Sequence, residues 1–315
     1  MDLRPLGRTG LSTRPLCLGG NVFGWTADRE RSFELLDAFV DEGFDLIDTA
    51  EVYSAWVPGH QGGESEAVIG EWLASRGRRD RVHVITKVGM PMPGGRDGLS
   101  ASRIEEAVEG SLKRLRTDYI DLHLAHKDDP DTPLEQSLEA FERLKRAGKV
   151  RAIGASNYAQ GRLELANTTA AEHGLSRYEV LEPEYSLLER GIEADALPFC
   201  RDEGVGVITY WSLAGGFLSG KYRSAADAEG KARSRTVGKY MNDKGWAVLG
   251  AVREVAEAQG VAPAQVALAW VMAQPGITAA IASATSVEQL RELTAAARLT
   301  LAPGDLARLE RASAA

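Results

Sequence analysis

Short apolar stretches alternate with longer amphipathic ones along almost the whole chain. Short apolar stretches are typical of strands buried in a parallel sheet, whereas apolar residues at helical spacing indicate helices packed against it. The pattern predicts eight strands, at 16–18, 46–48, 82–89, 120–126, 150–156, 179–186, 205–212 and 277–283. It predicts helices at 28–42, 64–76, 102–115, 134–147, 162–173, 192–203, 246–259, 263–273 and 287–298.

Two further segments, 2–6 and 11–14, flank the turn Gly7-Arg8-Thr9-Gly10 and predict an N-terminal β-hairpin. Because strands and helices alternate regularly and no linker interrupts them, the pattern indicates a single (β/α)8 TIM barrel domain over residues 1–315. Past residue 298 we expect a short C-terminal tail.

Titratable side chains end three successive predicted strands. Asp48, Lys87 and His126 are 39 residues apart each time, close to the length of one strand–helix repeat. Since the carboxyl ends of barrel strands meet at one rim, we expect these groups to lie together, with Tyr53 on the loop after the second strand. A buried carboxylate requires a cation or hydrogen-bond donors, and Lys87 is the candidate for Asp48. The arrangement predicts an active site.

Composition narrows the possible partners. The net charge of −8 and the pI near 5.3 argue against a nucleic-acid surface. No apolar run approaches the roughly 18 residues needed to span a membrane, and no signal-peptide core is present. Cys17 and Cys200 form no disulfide framework, and the remaining histidines predict no metal site: His60, His83, His123 and His173. We expect a cytoplasmic protein with a small-molecule substrate, and no pattern sets its oligomeric state.

Several motifs resemble the aldo-keto reductases, in particular their bacterial branch. They are Leu46-Ile47-Asp48-Thr49-Ala50 with Tyr53, Ile85-Thr86-Lys87, His126, Gly154-Ala155-Ser156-Asn157, Glu184-Tyr185-Ser186-Leu187-Leu188, and Gly216 to Tyr222. The resemblance extends from about residue 2 to 298 and implies an NAD(P)-dependent oxidoreductase that interconverts carbonyls and alcohols.

The resemblance implies catalytic roles for Asp48, Tyr53, Lys87 and His126. Tyr53 would be the general acid for reduction and the general base for oxidation. Because a free phenol has a pKa of about 10, we expect the Lys87 ammonium to lower the pKa of Tyr53. Asp48 would hold Lys87, and His126 would position the substrate oxygen.

The resemblance also implies residues that bind the nicotinamide cofactor. Ser156, Asn157 and Glu182 would hold its carboxamide, and Tyr210 would stack on the ring. The other predicted cofactor contacts are Gly20, Asn21, Asp48, Trp211, Ser212, Leu213, Gly215, Lys221, Ser283, Thr285 and Gln289. No Gly-x-Gly-x-x-Gly stretch is present, which excludes the Rossmann manner of binding.

Two positions depart from the family pattern. Glu182 stands where the family commonly has Gln, and we expect its negative charge to favour the oxidised cofactor. Gln289 stands where a basic residue often binds the ribose 2′-phosphate, and Ser286-x-x-Gln289 predicts a capping box there. The resemblance favours NADP(H), with NAD(H) as the alternative.

Four predicted strand-following loops, 54–63, 90–98, 127–132 and 213–245, are longer than connections require and would crowd one face. These loops and the loop after the first barrel strand carry four apolar side chains, Phe23, Trp25, Trp56 and Met92. Together with His126, they predict a pocket for an aromatic, steroid-like or sugar ring. The alternative function is a nucleotide-binding regulatory module resembling potassium-channel β subunits, which share this fold.

Overall fold

An antiparallel hairpin precedes a closed barrel in the computed structural model of the protein, which describes residues 1–230 and 234–314. The hairpin consists of β1 (Arg4–Pro5) and β2 (Ser12–Thr13). The barrel strands are β3 (Leu16–Gly19), β4 (Leu46–Asp48), β5 (His83–Val88), β6 (Ile120–Ala125), β7 (Val150–Ser156), β8 (Val180–Glu182), β9 (Gly206–Thr209) and β10 (Ile277–Ala282). All eight are parallel and follow one another in chain order, with β10 closing on β3, so the (β/α)8 prediction is confirmed.

Helices surround the barrel. They are α1 (Arg29–Asp41), α2 (Glu64–Arg76), α3 (Ala101–Leu115), α4 (Leu134–Arg146), α5 (Gln160–His173), α6 (Ala196–Glu203), α7 (Ser234–Gly238), α8 (Asp243–Gln259), α9 (Pro263–Ala273), α10 (Val287–Ala296) and α11 (Pro303–Ser313). Helix α7 lies inside the segment predicted as the long loop 213–245, of which residues 231–233 are outside the described ranges. Within those ranges, no helix combines the length and apolar character that crossing a membrane requires.

The prediction of a short tail after residue 298 is wrong, because α11 forms there and packs on α8. Pro303 occupies the first turn, where its missing N–H breaks no helical hydrogen bond. Leu309 is fully buried, and the indole nitrogen of Trp270 donates to Glu310 Oε1 at 3.0 Å. The sequence signal for α11 was Pro303 followed by Leu306 and Leu309, whose spacing of three residues is typical of a helix.

Side chains alternate along each strand, which creates a small core inside the barrel and a larger one between the barrel and the helices. The inner core is made by Leu6, Cys17, Leu46, Ile85, Leu122, Leu124, Ala152, Val180, Ile208, Ala279 and Ile281. The hairpin closes one end, where a Cβ on Gly7 would lie 2.0 Å from the Glu179 carbonyl oxygen. Chemistry is therefore confined to the opposite rim, at the carboxyl ends of the strands.

Candidate active site

Four polar side chains meet at the carboxyl-terminal rim. Lys87 Nζ donates to Tyr53 Oη at 3.0 Å, to the Thr49 carbonyl oxygen at 3.1 Å and to the Asp48 carboxylate. Tyr53 Oη donates to Asp48 Oδ2 at 3.0 Å. The His126 ring lies edge-on to the Tyr53 ring, with 6.1 Å between centroids. The structure thus brings together the four residues to which the sequence assigned catalytic roles.

The turn after β4 determines where the phenol lies. Asp48 ends the strand, and the Tyr53 N–H donates to the Ala50 carbonyl oxygen at 3.1 Å. Ser54 then adopts a left-handed φ of 72° and its hydroxyl donates to the Phe23 carbonyl oxygen at 3.2 Å. The chain therefore turns directly after Asp48, and Tyr53 stays within hydrogen-bond reach of Lys87.

Lys87 is a buried cation with its counter-charge beside it. Its side chain is 0% exposed and that of Asp48 is 2% exposed. Burial by itself lowers the pKa of Lys87, but Asp48 and Glu182 outweigh this effect, so the pKa of Lys87 lies well above its usual value. Burial raises the pKa of Asp48, and the Lys87 charge opposes that rise. The ammonium keeps its proton at neutral pH.

The pKa of Tyr53 differs from the sequence expectation. Burial and the Asp48 carboxylate raise the pKa of Tyr53 well above 10, although Lys87 acts in the lowering direction. The main physical reason is burial, which disfavours the charged phenolate, and the negative charge of Asp48 adds to this effect. Lys87 thus acts on the pKa of Tyr53 in the direction that we expected, but burial and the Asp48 charge outweigh its effect. Tyr53 is a protonated phenol, the form that donates a proton.

His126 is a neutral imidazole. Burial and the nearby Lys87 charge hold its pKa well below 6.5. Within the described ranges its Nδ1 atom is buried and lacks a hydrogen-bond partner. Since a neutral imidazole carries one N–H donor, His126 is suited to hydrogen-bond an oxygen beside Tyr53.

Glu182 joins this cluster, at the end of β8. Its Oε1 atom lies 3.3 Å from Lys87 Nζ, and its side chain is 2% exposed. Burial and the Asp48 carboxylate raise the pKa of Glu182 to about 8. The raised pKa favours the neutral acid near pH 7, whereas the sequence led us to expect a negative charge, because one ammonium faces two buried carboxyl groups.

The four predicted carboxamide and ring contacts form one hydrogen-bonded row. Ser156 Oγ donates to the Glu182 carbonyl oxygen at 2.8 Å, and Asn157 Nδ2 lies 3.0 Å from Ser156 Oγ. Tyr210 Oη donates to Asn157 Oδ1 at 2.6 Å, and Asn157 Nδ2 donates to the His126 carbonyl oxygen at 2.9 Å. Asn157 itself is exposed, with a left-handed φ of 60°. This row links β7, β8 and the end of β9 at the carboxyl-terminal rim.

The chain beyond β9 turns sharply along the rim. Trp211 is 37% exposed, whereas Ser212 is fully buried and its hydroxyl donates to the Thr209 carbonyl oxygen at 3.0 Å. Leu213 accepts from the Gly216 N–H at 2.9 Å. Gly215 is covered by α7, because a Cβ there would lie 2.8 Å from Thr236 Cγ2. The Lys221 side chain lies next to Gly216 and to the Tyr222 ring.

A second group of predicted cofactor contacts lies where β10 meets β3. Ser283 Oγ donates to Asn21 Oδ1 at 2.7 Å, and Gly20 lies close against the Asp48 carbonyl oxygen. Ser286 caps α10, as predicted. The second half of the predicted capping box, a hydrogen bond from the Ser286 N–H to the Gln289 side chain, does not form. Gln289 Oε1 instead accepts from the Thr285 N–H at 3.0 Å and from its hydroxyl at 3.1 Å. These Thr285 donors are thus already used by the protein.

A family model described as the aldo/keto reductase family matches residues 15–314. The chain belongs to the aldo/keto reductase family. It is 39% identical to the uncharacterized oxidoreductase YrpG of Bacillus subtilis, over 96% of this chain and 92% of that protein. It is 33% identical to the aldo-keto reductase YhdN of the same organism, over 91% and 84%. A putative voltage-gated potassium channel subunit beta of Schizosaccharomyces pombe is also 33% identical, over 93% and 87%.

Aldo/keto reductases generally use NAD(P)H, and the residues of this rim fit such a cofactor. The buried Glu182 Oε2 atom has no hydrogen-bond partner in the described ranges, and the exposed Asn157 amide lies beside it along the rim. A Cβ on Gly20 would lie 2.9 Å from the Asp48 carbonyl oxygen, so only glycine fits there without displacement. The Glu182 Oε2 atom and the exposed Asn157 amide are polar groups of the kind that a carboxamide can hydrogen-bond.

Aromatic side chains of this aldo/keto reductase line the approach to Tyr53. Trp56 is 49% exposed and lies edge-on to Trp25, with 5.6 Å between centroids, and to Tyr53, with 6.1 Å. Met92 is 8% exposed beneath the loop that carries Gly62. Phe23 is fully buried in the outer core, so its predicted place in the pocket wall is wrong in this structure.

A polar link at the rim was not singled out from the sequence. Glu184 Oε1 accepts from Lys239 Nζ at 2.9 Å and from Tyr240 Oη at 2.5 Å, and Lys239 Nζ lies 4.7 Å from the Trp211 ring centroid. These side chains join the segment after β8 to the one after α7. No local pattern marks Lys239, because only the fold brings it to Glu184.

The remaining histidines lie away from this centre. His123 is buried and faces α4, with its ring edge-on to Phe141. His83 lies at the start of β5, with Nδ1 3.5 Å from Asp121 Oδ1. In the parts of the chain that the structure describes, His, Cys, Asp and Glu form no group of three able to hold a metal ion.

Proposed function

We propose that this aldo/keto reductase is an NAD(P)-dependent oxidoreductase that interconverts an aldehyde or ketone and the corresponding alcohol. The observation that carries the proposal is the Tyr53 hydroxyl, which lies at the open rim within 3.0 Å of both Lys87 Nζ and Asp48 Oδ2. A protonated phenol at the mouth of a closed barrel supplies the proton that carbonyl reduction requires.

Carbonyl reduction adds a hydride to the carbon and a proton to the oxygen. The cofactor supplies the hydride for the carbonyl carbon when it is bound. Tyr53 gives its proton to the oxygen, and the Lys87 ammonium stabilises the phenolate that forms. The neutral His126 ring donates a hydrogen bond to the same oxygen and orients it. In the oxidation direction Tyr53 takes the proton back as general base.

Cofactor binding is assigned to the row formed by Ser156, Asn157, Glu182 and Tyr210, with the rest of the cofactor along the segments after β9 and β10. NADP(H) is favoured by family membership, whereas the absence of a basic residue at Gln289 supports use of NAD(H) as well. Since Gln289 already accepts from Thr285, a 2′-phosphate would have to displace that contact.

The substrate class follows from the approach to Tyr53. Trp25 and Trp56 offer aromatic surface beside the phenol, and an exposed indole gains stability when an apolar ring covers it. We therefore assign a small carbonyl or alcohol that carries an aromatic or apolar ring. A cytoplasmic location, with Cys17 and Cys200 as free buried thiols, belongs to the same proposal.

The test is turnover on a panel of aliphatic, aromatic and sugar-derived aldehydes and ketones, with NADPH and NADH, and of the matching alcohols with the oxidised cofactors. We expect multiple turnovers, with aromatic carbonyls preferred over aliphatic ones of equal size. The absence of turnover with every pair, despite cofactor binding, contradicts the proposal.

A second function, a nucleotide-binding regulatory module, is supported by the similarity to the potassium channel subunit beta. The two functions differ in a measurable way. An enzyme consumes many equivalents of cofactor with one preferred substrate, whereas a regulatory module binds the nucleotide and turns over no faster than a Tyr53→Phe variant.

A further inference from the structure

The Glu182 side chain has an unusual position for a carboxyl group. It is the last residue of β8, in register with Ser156 of β7, and its side chain is 2% exposed. Oε1 lies 3.3 Å from Lys87 Nζ, while Oε2 is buried and has no hydrogen-bond partner within the described ranges. A buried ionised oxygen without a donor is strongly disfavoured, so this oxygen is the natural place for a proton.

The hydrogen bonds around Lys87 indicate which of its two carboxyl neighbours holds that proton. Asp48 accepts from both Lys87 Nζ and Tyr53 Oη, so both of its oxygens have donors. Glu182 has the same ammonium at 3.3 Å on one oxygen and nothing on the other. One ammonium neutralises one carboxylate, and Asp48, which has a hydrogen-bond donor on each oxygen, is the one that stays ionised.

The other titratable side chains around Glu182 do not change their protonation state near neutral pH. Burial and nearby carboxyl groups raise the pKa values of the Cys17 thiol and the Tyr210 phenol, and burial lowers that of His126, so all three stay neutral. Tyr53 remains a phenol and Lys87 an ammonium. The pKa of Glu182, about 8, makes it the group whose charge changes in the working range.

We propose that Glu182 is a positioning residue that works as a neutral acid beside Lys87 and that its ionisation switches the rim from favouring neither cofactor form to favouring the oxidised one. This inference rests on the proposed function. As a neutral acid, Glu182 offers one O–H donor and one acceptor, as an amide does. Once ionised, it adds a second negative charge beside Lys87, which attracts a cationic nicotinamide ring and holds the Tyr53 proton more firmly.

The first experiment reads the proton of Glu182 directly, in the protein without cofactor. Infrared difference spectra between about pH 6 and about pH 9.5, on either side of the value for Glu182, should show loss of the C=O stretch of a protonated acid. We expect this band in the wild type and in Glu179→Gln but not in Glu182→Gln. Glu179 lies on the hairpin side of β8, bonded to Arg8 and Arg177, which makes it the matched control. A wild-type spectrum without the band overturns the proposal.

The second experiment measures dissociation constants of NAD⁺ and NADH by fluorescence across the same range. The ratio of the NADH constant to the NAD⁺ constant should rise about tenfold in the wild type, as the new charge implies, and stay flat in Glu182→Gln. Glu182→Asp, which keeps a titrating acid, should restore the rise and also controls for misfolding of the glutamine variant. A flat wild-type ratio overturns the proposal. Failure to bind either nucleotide contradicts the proposed function instead, while the infrared result still decides the protonation of Glu182.

Discussion

The ammonium of Lys87 lies 3.0 Å from the hydroxyl oxygen of Tyr53, although the two residues are 34 positions apart in the chain. The parallel pairing of β4 with β5 creates this contact, since it puts the end of one strand beside the end of the next. Asp48 accepts a hydrogen bond from each partner. Two adjacent strands and one turn therefore hold these three side chains in one hydrogen-bonded cluster at the rim.

Removal of the phenol hydroxyl should abolish most of the activity without loss of cofactor binding. For Tyr53→Phe we expect kcat to fall by about 10²-fold or more, because general acid catalysis contributes about that factor. The matched control is Tyr119→Phe, whose ring lies between Arg79 and Arg151 away from the rim. Steady-state kinetics and fluorescence titration of the cofactor measure the two effects. Full turnover by the phenylalanine variant would disprove the assignment.

Removal of the buried cation should destabilise the fold. In Lys87→Met, Asp48 and Glu182 lose the ammonium between them, and the loss of one partner from a buried pair costs about 3–5 kcal/mol. The loss should grow as the pH rises, since ionised carboxyls then lack a counter-charge. Denaturant unfolding at several pH values measures it, and the triple variant with Asp48→Asn and Glu182→Gln should recover part of the stability. A loss below about 1 kcal/mol contradicts this account.

The buried His123 should make the protein sensitive to mild acid. Burial lowers the pKa of His123 from 6.5 to about 3, and neither ring nitrogen has a partner in the described ranges. Below pH 6.5, His123 therefore binds a proton in the unfolded chain but stays neutral in the folded one. The stability that the neutral His123 side chain contributes is fully present above pH 6.5 and is lost as the pH falls toward 3.

The variant His123→Leu should lose less stability than the wild type between about pH 7 and about pH 5. The difference in slope should approach 1.4 kcal/mol per pH unit, roughly the value for one proton. His173→Gln, whose side chain is 42% exposed, is the matched control for loss of a histidine. Identical slopes for wild type and His123→Leu, measured by denaturant unfolding, would show that another group causes the acid sensitivity.

A basic residue at position 289 should change the cofactor preference. Gln289→Arg releases the N–H and hydroxyl of Thr285 and adds a cation at the start of α10. We expect the preference for NADPH over NADH, measured as the ratio of kcat/KM values, to rise about tenfold, since a charged hydrogen bond contributes roughly 1.5–3 kcal/mol. Gln274→Arg, at the end of α9, controls for the added charge. An unchanged ratio places the 2′-phosphate elsewhere.

The sequence alone determined the barrel and the meeting of the candidate catalytic residues, because both depend on order along the chain. Parallel strands bring their carboxyl ends to one rim, so Asp48, Lys87 and His126 had to meet once the alternation of strands and helices was recognised. The sequence did not predict that β8 and β9 are shorter, that α11 forms or that Phe23 is buried. Packing partners far along the chain decide these three features.

Only the tertiary structure decided the charge states at the rim. The raised pKa values of Tyr53 and Glu182 depend on burial and on neighbours from other strands. The electrostatic energy of a group is the sum over everything near it in space, and no pattern of adjacent residues contains that sum.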